Sequence, residues 1–278
     1  MKFAVSIISP HNYLHSEAFR ELGETIHYAL LEMGHDSVVT SQTDIPDRQH
    51  IILGSNLLPF YPSKLSSHSI LYNLEQIAPD SPWLQSGFLD ILRQYTVWDY
   101  SQSNIEQLTC LGITSAQLVP IGYMPQLTRI YPADEGEDID ILFYGSLNER
   151  RWHIIRSLQA HGVKAEAAFG LYGKERDRLI ARSKIILNIH FYEAKVFEVV
   201  RASYLLANQR FVISERGCNL GEEAEFSSGI VFANYDELVQ TCLDFLSRLE
   251  DRKRIAKLGF ELMSQRSEID YLRRVIEA

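Results

Sequence analysis

The sequence has little cysteine and no long apolar run. Its 278 residues include three cysteines, Cys110, Cys218 and Cys242, which lie far apart and form no Cys-x-x-Cys pair. Such a set offers neither a disulfide framework nor the paired ligands of a zinc site, and it fits a reducing compartment. No stretch approaches the roughly 18–20 apolar residues that a membrane-spanning helix needs. We therefore expect a cytoplasmic protein without an integral membrane segment.

Positive charge is also scarce. The 27 Lys and Arg residues are outnumbered by 36 Asp and Glu residues, which gives a net charge of -9. This excess argues against nonspecific binding to nucleic acid or to an acidic membrane surface, so we expect no nucleic-acid partner. The N-terminal apolar run, residues 3–9, is closed by Pro10 and is too short for a signal peptide. It predicts a buried strand instead.

Strands and helices alternate through most of the chain, which is long enough for two domains of roughly 130 residues each. In the first half, apolar runs predict strands over residues 3–9, 35–40, 50–53, 70–73, 95–98 and 116–121. Helical periodicity predicts helices over residues 16–33, 81–92 and 103–111. This alternation is typical of a parallel sheet that is covered by helices on both faces.

An acidic segment with proline and glycine, residues 131–138, interrupts the alternation and predicts an exposed linker. Beyond it, strands are predicted over residues 139–144, 164–169, 184–191, 211–214 and 229–232, and helices over 149–161, 175–183, 196–207, 235–249, 251–266 and 268–277. We predict an α/β protein of two Rossmann-like, doubly wound domains facing a cleft. Residues 1–130 would form the first domain and residues 139–278 the second. Ligands of such sheets bind beyond the carboxyl ends of the strands.

The first candidate site follows the apolar strand predicted over residues 139–144. Gly145 and Ser146 end the strand, and Asn148, Arg150 and Arg151 begin the next helix. A glycine allows close approach of a ligand, and free N–H groups at a helix start favour an anion. The two arginines could add charge-assisted hydrogen bonds to a diphosphate. The alternative is an ordinary strand-loop-helix turn whose arginines form a solvated helix face.

The second candidate site follows the strand predicted over residues 184–191. Lys195, Glu198 and Arg201 lie near the start of the next predicted helix, and the latter two share one helix face. A carboxylate at this place can accept hydrogen bonds from both hydroxyls of a ribose, and Lys195 can reach the phosphates of the same nucleotide. The alternative is a surface pair of Glu and Arg with a carboxylate that caps the helix.

These segments, in this order, resemble a known family. A strand followed by Gly-Ser-x-Asn-x-Arg-Arg, then residues 179–188, then the helix that begins with Phe197-Glu198, is similar to the C-terminal half of GT-B glycosyltransferases. The resemblance covers residues 139–265 and is greatest to the spore-protein-like and rhamnan-synthesis-like members. It implies transfer of a sugar from a nucleotide-sugar donor to an unidentified hydroxyl acceptor. The second domain would hold the donor, with Glu198 on its ribose, and the first domain the acceptor.

The sequence also departs from that family. Most retaining members carry two glutamates seven residues apart, the second just before a Gly-x-Pro turn. Here the equivalent turn, residues 207–210, has neither the glycine nor the proline, and Ser203 lies nearer the expected place of a glutamate than Glu198 does. The stereochemical outcome therefore stays open.

No Gly-x-Gly-x-x-Gly or Gly-x-x-x-x-Gly-Lys motif is present, so nothing indicates a dinucleotide cofactor or a P-loop. No Asp-x-Asp motif follows a predicted strand either. We therefore expect no cofactor and no essential metal ion. Arg150, Arg151 and Lys195 would then stabilise the negative charge on the leaving diphosphate.

Candidates for catalysis come from strand ends in the first half. Inverting transfer needs a base for the proton of the acceptor hydroxyl, and Glu75 and His11 fit that need, with Asp99 as a weaker choice. Each could equally be a loop residue with local hydrogen bonds. Two other functions remain open: a non-catalytic protein that binds nucleotide sugars, and a nucleotide-sugar epimerase of the same architecture.

Overall fold

The computed structural model describes residues 1–11, 13–77, 81, 84, 87–134, 136–191 and 195–277. The chain divides into two compact units. The first unit contains Met1–Gln126 and Arg266–Ala278, and the second contains Leu127–Gln265. In the part of the chain that is described, no helix is long and apolar enough to cross a membrane.

The first unit is built on a parallel sheet of six strands in the order β2-β1-β3-β4-β5-β6. The strands are β1 (Lys2–Ile7), β2 (Asp36–Thr40), β3 (Gln49–Leu53), β4 (Ile70–Asn73), β5 (Thr96–Asp99) and β6 (Gln117–Leu118). Its helices are α1 (Arg20–Glu32), α2 (Phe88–Leu92), α3 (Gln102–Cys110) and, from the end of the chain, α10 (Glu268–Ile276). The central strands are almost wholly buried, since helices and loops cover both faces of the sheet.

The second unit is built on a parallel sheet of five strands in the order β11-β10-β9-β7-β8. The strands are β7 (Ile139–Tyr144), β8 (Ala165–Ala168), β9 (Ser183–Asn188), β10 (Val212–Glu215) and β11 (Ile230–Ala233). The helices are α4 (Glu149–Ala160), α5 (Gly173–Ala181), α6 (Val199–Ala207), α7 (Leu220–Ala224), α8 (Leu238–Leu246) and α9 (Leu249–Ser264). Apolar side chains of β7, β9 and β10 pack against α4 and α8 to form the core.

The end of the chain belongs to the first unit, whereas the sequence predicted one domain over residues 139–278. Helix α10 docks where Gly122 lies: the Gly122 amide donates to Oε2 of Glu268 at 2.6 Å, and the Tyr123 amide donates to the carbonyl of Arg266 at 2.7 Å. A Cβ on Gly122 would come within 2.6 Å of the Cα of Glu268, so only glycine allows this approach. These contacts join residues far apart in sequence, which periodicity alone cannot reveal.

Residues 127–130 belong to the second unit instead of the first. Oδ1 of Asn208 accepts hydrogen bonds from the amides of Arg129 and Ile130, both at 2.7 Å, and its Nδ2 donates to the carbonyl of Leu127 at 2.9 Å. One buried side chain thus binds this segment to the end of α6. Residues 131–138, predicted as the linker, therefore lie beyond the point where the chain has entered the second unit.

Most predicted elements are present, although several differ in kind or extent. The helix predicted over residues 16–33 is a 3₁₀ helix, Leu14–Phe19, followed by α1. The helix predicted over residues 81–92 is described only as α2, because residues 82, 83, 85 and 86 lie outside the described part. Helix α7 was not predicted: five residues are too few for a period, and the side chain of Asn219 caps it by accepting from the amides of Gly221 and Glu222.

Each strand order contains one place where successive connections leave in opposite directions. In the first sheet this place lies between β1 and β3, and in the second between β7 and β9. Loops after these strand pairs diverge, so a crevice opens beyond their carboxyl ends. The two candidate sites predicted for the second half follow β7 and β9. The fold therefore places both at one crevice.

Candidate functional site

The loop after β7 is shaped by a glycine and a capping asparagine. Gly145 has φ +132° and lies against Arg201, so that a Cβ there would come to 2.9 Å from the Nη2 atom of that arginine. Asn148 caps α4, because its Oδ1 accepts from the Arg151 amide at 2.9 Å. Ser146 lies between them and gives its carbonyl to Arg151 at 2.7 Å. Asn148 thus already occupies one of the helix-start N–H groups that the sequence offered to an anion.

Arg151 is the buried bridge between the two loops. Its side chain is 3% exposed. Its Nη1 donates to the Ser146 carbonyl after β7, and its Nε donates to the Ile189 carbonyl after β9 at 2.8 Å. Its Nη2 donates to Oε1 of Glu198 at 3.0 Å. Burial lowers the pKa of Arg151 to about 10, with the charge of Glu198 acting in the opposite direction. Every nitrogen of this guanidinium is committed to the protein.

Glu198 lies between two arginines. Its Oε1 pairs with Arg151 and its Oε2 pairs with Arg201, each at 3.0 Å, and its side chain is 20% exposed. Burial alone would raise the pKa of Glu198, but the positive charges of Arg201 and Arg151 outweigh it and hold the pKa below the usual value. The carboxylate is therefore ionised and fixed in orientation. Each of its oxygens still has a lone pair for a further donor.

Arg201 is the more accessible partner of this carboxylate. Its Nη1 donates to Oδ1 of Asn188 at 2.7 Å, at the end of β9, and its guanidinium lies 5.2 Å from the ring centroid of Tyr144. Its side chain is 18% exposed. The same guanidinium stands next to Gly145. A cation thus lies against the backbone at Gly145, in the space that a side chain at this position would fill.

A second carboxylate, Glu215, forms ion pairs with the other two cations, Arg150 and Lys195. It ends β10, is 1% exposed, and forms a two-pronged ion pair with Arg150. The Nζ atom of Lys195 lies 3.5 Å from Oε1 of Glu215. Burial raises the pKa of Glu215, but the hydrogen bonds and charge of Arg150 lower it further than burial raises it. Arg150 also lies over the ring of Tyr235, 4.0 Å from its centroid.

His190 completes the buried part of this site. It is 1% exposed, its amide donates to Glu215 at 3.0 Å, and its Nε2 lies 3.1 Å from the Glu215 carbonyl oxygen. That contact requires the hydrogen on Nε2 and leaves Nδ1 as an acceptor. Nδ1 is buried and finds no partner among the described residues. Burial lowers the pKa of His190, which favours the neutral ring.

The structure therefore brings together all eight residues predicted to bind a ligand in the second half. Glu215, His190 and Tyr235 belong to the same cluster and were not predicted. Glu215 follows an apolar strand, and the rule that ligands bind at carboxyl strand ends could have found it. Residues 192–194, which precede Lys195, lie outside the described part of the chain.

One Asp-x-Asp sequence, Asp138-Ile139-Asp140, lies away from this cluster of charged residues. Asp138 and Asp140 flank the start of β7, at the edge opposite Gly145. Asp138 pairs with Arg182 at 2.6 Å, and Asp140 with Lys184 at 2.7 Å. Over the described ranges, no group of three or more His, Cys, Asp or Glu side chains is placed to hold a metal ion.

The predicted catalytic candidates all lie at or near the carboxyl edge of the first sheet. Glu75 is half-buried, and its Oε1 accepts from Nδ2 of Asn56 at 3.1 Å. His11 is exposed in the loop after β1. Asp99 is fully buried and accepts from the amides of Asn73 at 2.6 Å and Asn104 at 3.0 Å. Asp99 is thus sealed from solvent, and its oxygens join the end of β4 to the first turn of α3.

Comparison with solved structures identifies the fold. HepE from Anabaena, solved with UDP and glucose, superposes with a TM-score of 0.64 at 11% identity, over 99% of this chain and 97% of that one. Sucrose-phosphate synthase from Thermosynechococcus elongatus gives 0.62 at 12% identity, over 99% and 98%. The chain has the two-domain GT-B fold of glycosyltransferases, as the sequence predicted.

Sequence relatives exist in a giant virus. Protein L140 of Acanthamoeba polyphaga mimivirus is 30% identical over 194 residues, which is 66% of this chain and 60% of that protein. Protein L137 of the same virus is 27% identical over 175 residues, 59% of this chain and 23% of that protein. The matched part thus covers about 60% of the first relative and a smaller share of the second. No family model matches the chain.

Proposed function

We propose that this protein transfers a sugar from a nucleoside diphosphate sugar to a hydroxyl acceptor. The observation that carries the proposal is the charge cluster at the carboxyl ends of β7, β9 and β10. Four cations and two carboxylates meet there, so these six side chains carry two net positive charges: Arg150, Arg151, Lys195, Arg201, Glu198 and Glu215. A diphosphate carries about two negative charges as it leaves, and a fixed excess of cations stabilises it. The UDP and glucose bound to HepE agree with this choice of ligand.

The cations have different roles in this proposal. Arg201 and Lys195 are partly exposed and would contact the diphosphate beside Gly145 and Ser146. Arg151 is buried and would position the two loops, which refines the direct phosphate contact that the sequence suggested. Arg150, 25% exposed and held by Glu215, would add its remaining N–H groups from the side.

The transfer breaks one bond, forms another and moves one proton, and none of these steps needs a cofactor. The bond between the anomeric carbon and the diphosphate oxygen breaks, and the electron pair leaves with the diphosphate. The acceptor oxygen forms the new bond to the anomeric carbon and loses its proton to a base. Glu75 and His11 are the proposed bases, and Glu75 is the better of the two because Asn56 fixes its carboxylate.

The nucleotide contact can be tested at Glu198. We propose that its carboxylate accepts hydrogen bonds from both hydroxyls of the donor's ribose. Glu198→Gln keeps one acceptor oxygen but removes the charge, and we expect nucleotide affinity to fall by about 1–2 kcal/mol, roughly tenfold. Isothermal titration with UDP, GDP and dTDP measures it. The matched control is Glu237→Gln, an exposed glutamate at the end of a 3₁₀ helix in the same unit. Equal affinities in both variants would remove Glu198 from the site.

The reaction can be tested with and without chelator. UDP-, GDP-, dTDP- and CMP-sugars would first be ranked by the rise in melting temperature that each produces. We expect EDTA to leave transfer or donor hydrolysis with the best donor largely intact. Lys195→Ala should lower kcat about tenfold and change donor affinity less, since the charge on the diphosphate grows in the transition state.

Lys184→Ala is the control for the lysine variant, because Lys184 pairs with Asp140 at the other edge of the sheet. A strict need for a divalent ion would contradict the role given to these cations. Binding of a nucleotide sugar with no transfer or hydrolysis would instead leave a protein that binds nucleotide sugars without catalysis.

A further inference from the structure

The turn that follows β10 lies against the loop that carries Lys195. Pairing between β10 and β11 extends one residue beyond β10, because the Arg216 amide donates to the Ala233 carbonyl at 2.8 Å. The other end of the turn is fixed where the side chain of Asn219 caps α7. The two residues between these fixed ends are Gly217 and Cys218, and we call them the β10 turn.

The β10 turn holds the main chain of Lys195. The Cys218 amide donates to the Lys195 carbonyl at 3.2 Å. Gly217 approaches the same carbonyl so closely that a Cβ on this glycine would collide with it. Lys195 has φ +46°, in the left-handed region, which a residue with a side chain keeps only when its surroundings hold it there. The β10 turn provides that restraint, through one hydrogen bond and one close packing contact.

A buried carboxylate on α7 fixes the β10 turn in its place. Glu223 is 1% exposed, and its Oε1 accepts a hydrogen bond from the Gly217 amide, six residues earlier in the chain. Its Oε2 lies 3.3 Å from Nη1 of Arg216. The Nη2 atom of Arg216 donates to the Phe232 carbonyl at 3.3 Å, and its guanidinium lies 5.9 Å from the centroid of the Phe232 ring. Glu223 thus ties the turn to α7 and, through Arg216, to β11.

The main chain of Lys195 decides where its ammonium group can reach. The φ and ψ angles of a residue determine which side-chain rotamers it can adopt. In the left-handed conformation of Lys195, its Nζ atom lies 3.5 Å from Oε1 of Glu215. A return to negative φ would redirect the Cα–Cβ bond and move the ammonium group away from this carboxylate. The place of this cation in the charge cluster therefore depends on the turn that restrains its backbone.

We propose that Glu223 is a positioning residue for Lys195. It holds the β10 turn, the turn holds Lys195 in the left-handed conformation, and that conformation directs the ammonium group to the charge cluster at Glu215. Glu223 itself is buried, so its effect on a ligand passes through Lys195. The consequence for sugar transfer rests on the proposed function, whereas the restraint on Lys195 does not.

The restraint can be measured with the full chain and without any ligand. Trypsin cleaves after lysine only when the local backbone opens, so the rate of cleavage after Lys195 reports how firmly it is held. Mass spectrometry of the fragments that end at Lys195 gives this rate. We expect Glu223→Ala to raise it about tenfold, the effect of one lost hydrogen bond to a buried carboxylate. Glu223→Gln keeps an acceptor for the Gly217 amide and should restore most of the protection. Glu225→Ala is the matched control, because Glu225 is exposed directly after α7.

The restraint can also be tested from the glycine side. Gly217→Ala adds one methyl group against the Lys195 carbonyl, so we expect faster cleavage after Lys195 in this variant too. Gly221→Ala is its control: a Cβ there meets only Oδ1 of Asn219, at 3.3 Å. If cleavage after Lys195 is as slow in Glu223→Ala and Gly217→Ala as in their controls, the inference is wrong.

The link to catalysis is tested by combining variants. Initial rates would be measured with the best of the UDP-, GDP-, dTDP- and CMP-sugars. We expect Glu223→Ala to lower kcat about tenfold with a smaller change in KM, as Lys195→Ala does. The double variant should be no slower than Lys195→Ala alone, because both changes remove the same cation from its place. Losses that multiply would show that Glu223 does not act through Lys195. A parent chain that turns over none of these sugars would contradict the proposed function, and the trypsin comparison would then decide the inference by itself.

Discussion

Arg151→Ala should lower the free energy of unfolding by about 2–4 kcal/mol, because it removes a buried guanidinium that donates hydrogen bonds to two loop carbonyls and to Glu198. The guanidinium joins the loop after β7 to the loop after β9 and pairs with Glu198. Without it, the Ile189 carbonyl and one oxygen of Glu198 lose their donors in a place where water has little access. Arg151→Lys should rescue little, since an ammonium cannot span three acceptors as a planar fork does.

Urea unfolding followed by circular dichroism measures this loss. Arg156→Ala is the matched control: Arg156 lies on the same helix, is exposed, and stacks near the ring of Trp152 at 5.6 Å. We expect it to cost less than about 0.5 kcal/mol. If the two alanine variants unfold at the same urea concentration, Arg151 is not the bridge that its hydrogen bonds indicate.

Glu268→Gln should increase the free energy of unfolding, compared with the unsubstituted chain, by more at pH 8 than at pH 5. Glu268 is fully buried, its Oε2 accepts from Gly122, and its Oε1 has no partner among the described residues. Burial raises the pKa of Glu268 from 4.5 to about 7. Because the pKa of Glu268 is higher in the folded state than in the unfolded state, its contribution to stability is complete below the pKa of the unfolded state. That contribution is lost as the pH rises towards the pKa of the folded state.

The size of this effect follows from the shift. A difference of about 2.5 pH units corresponds to about 3 kcal/mol, lost between pH 4.5 and pH 7. Glutamine stays neutral at every pH, so the variant does not lose this free energy. Between pH 4.5 and pH 7, the variant should therefore gain about 3 kcal/mol of stability relative to the parent. Tyr72 is buried nearby and stays protonated over this range. Glu277→Gln, exposed at the end of the same chain segment, is the control. A pH-independent difference would show that Glu268 does not titrate in this window.

Much of the fold was visible in the sequence because strands and helices have local periods. The strands predicted over residues 70–73 and 139–144 have the bounds of β4 and β7. The ligand-binding candidates were visible for a related reason: in a parallel sheet, loops that follow strands share one edge. That rule grouped Gly145 and Arg150 with Lys195 although about 45 residues separate them.

The environment of each candidate was not visible. Arg150 and Arg151 are neighbours in sequence, yet one pairs with Glu215 at the edge of the site and the other is buried against Glu198. Successive helix residues point about 100° apart, and only the packing of the loops decides which direction is buried. The same holds for Asp99: its place at a strand end is visible in the sequence, whereas its buried amide partners are not.

The sequence by itself determined the α/β class, the alternation of strands and helices, and the segments that carry the candidate donor site. These depend on local pattern, in which neighbouring residues share one physical environment. Only the tertiary structure decided that α10 belongs to the first unit and that Glu215 pairs with both Arg150 and Lys195. Those facts depend on contacts between residues distant in the chain, whose free energy comes from burial and charge pairing that no local period records.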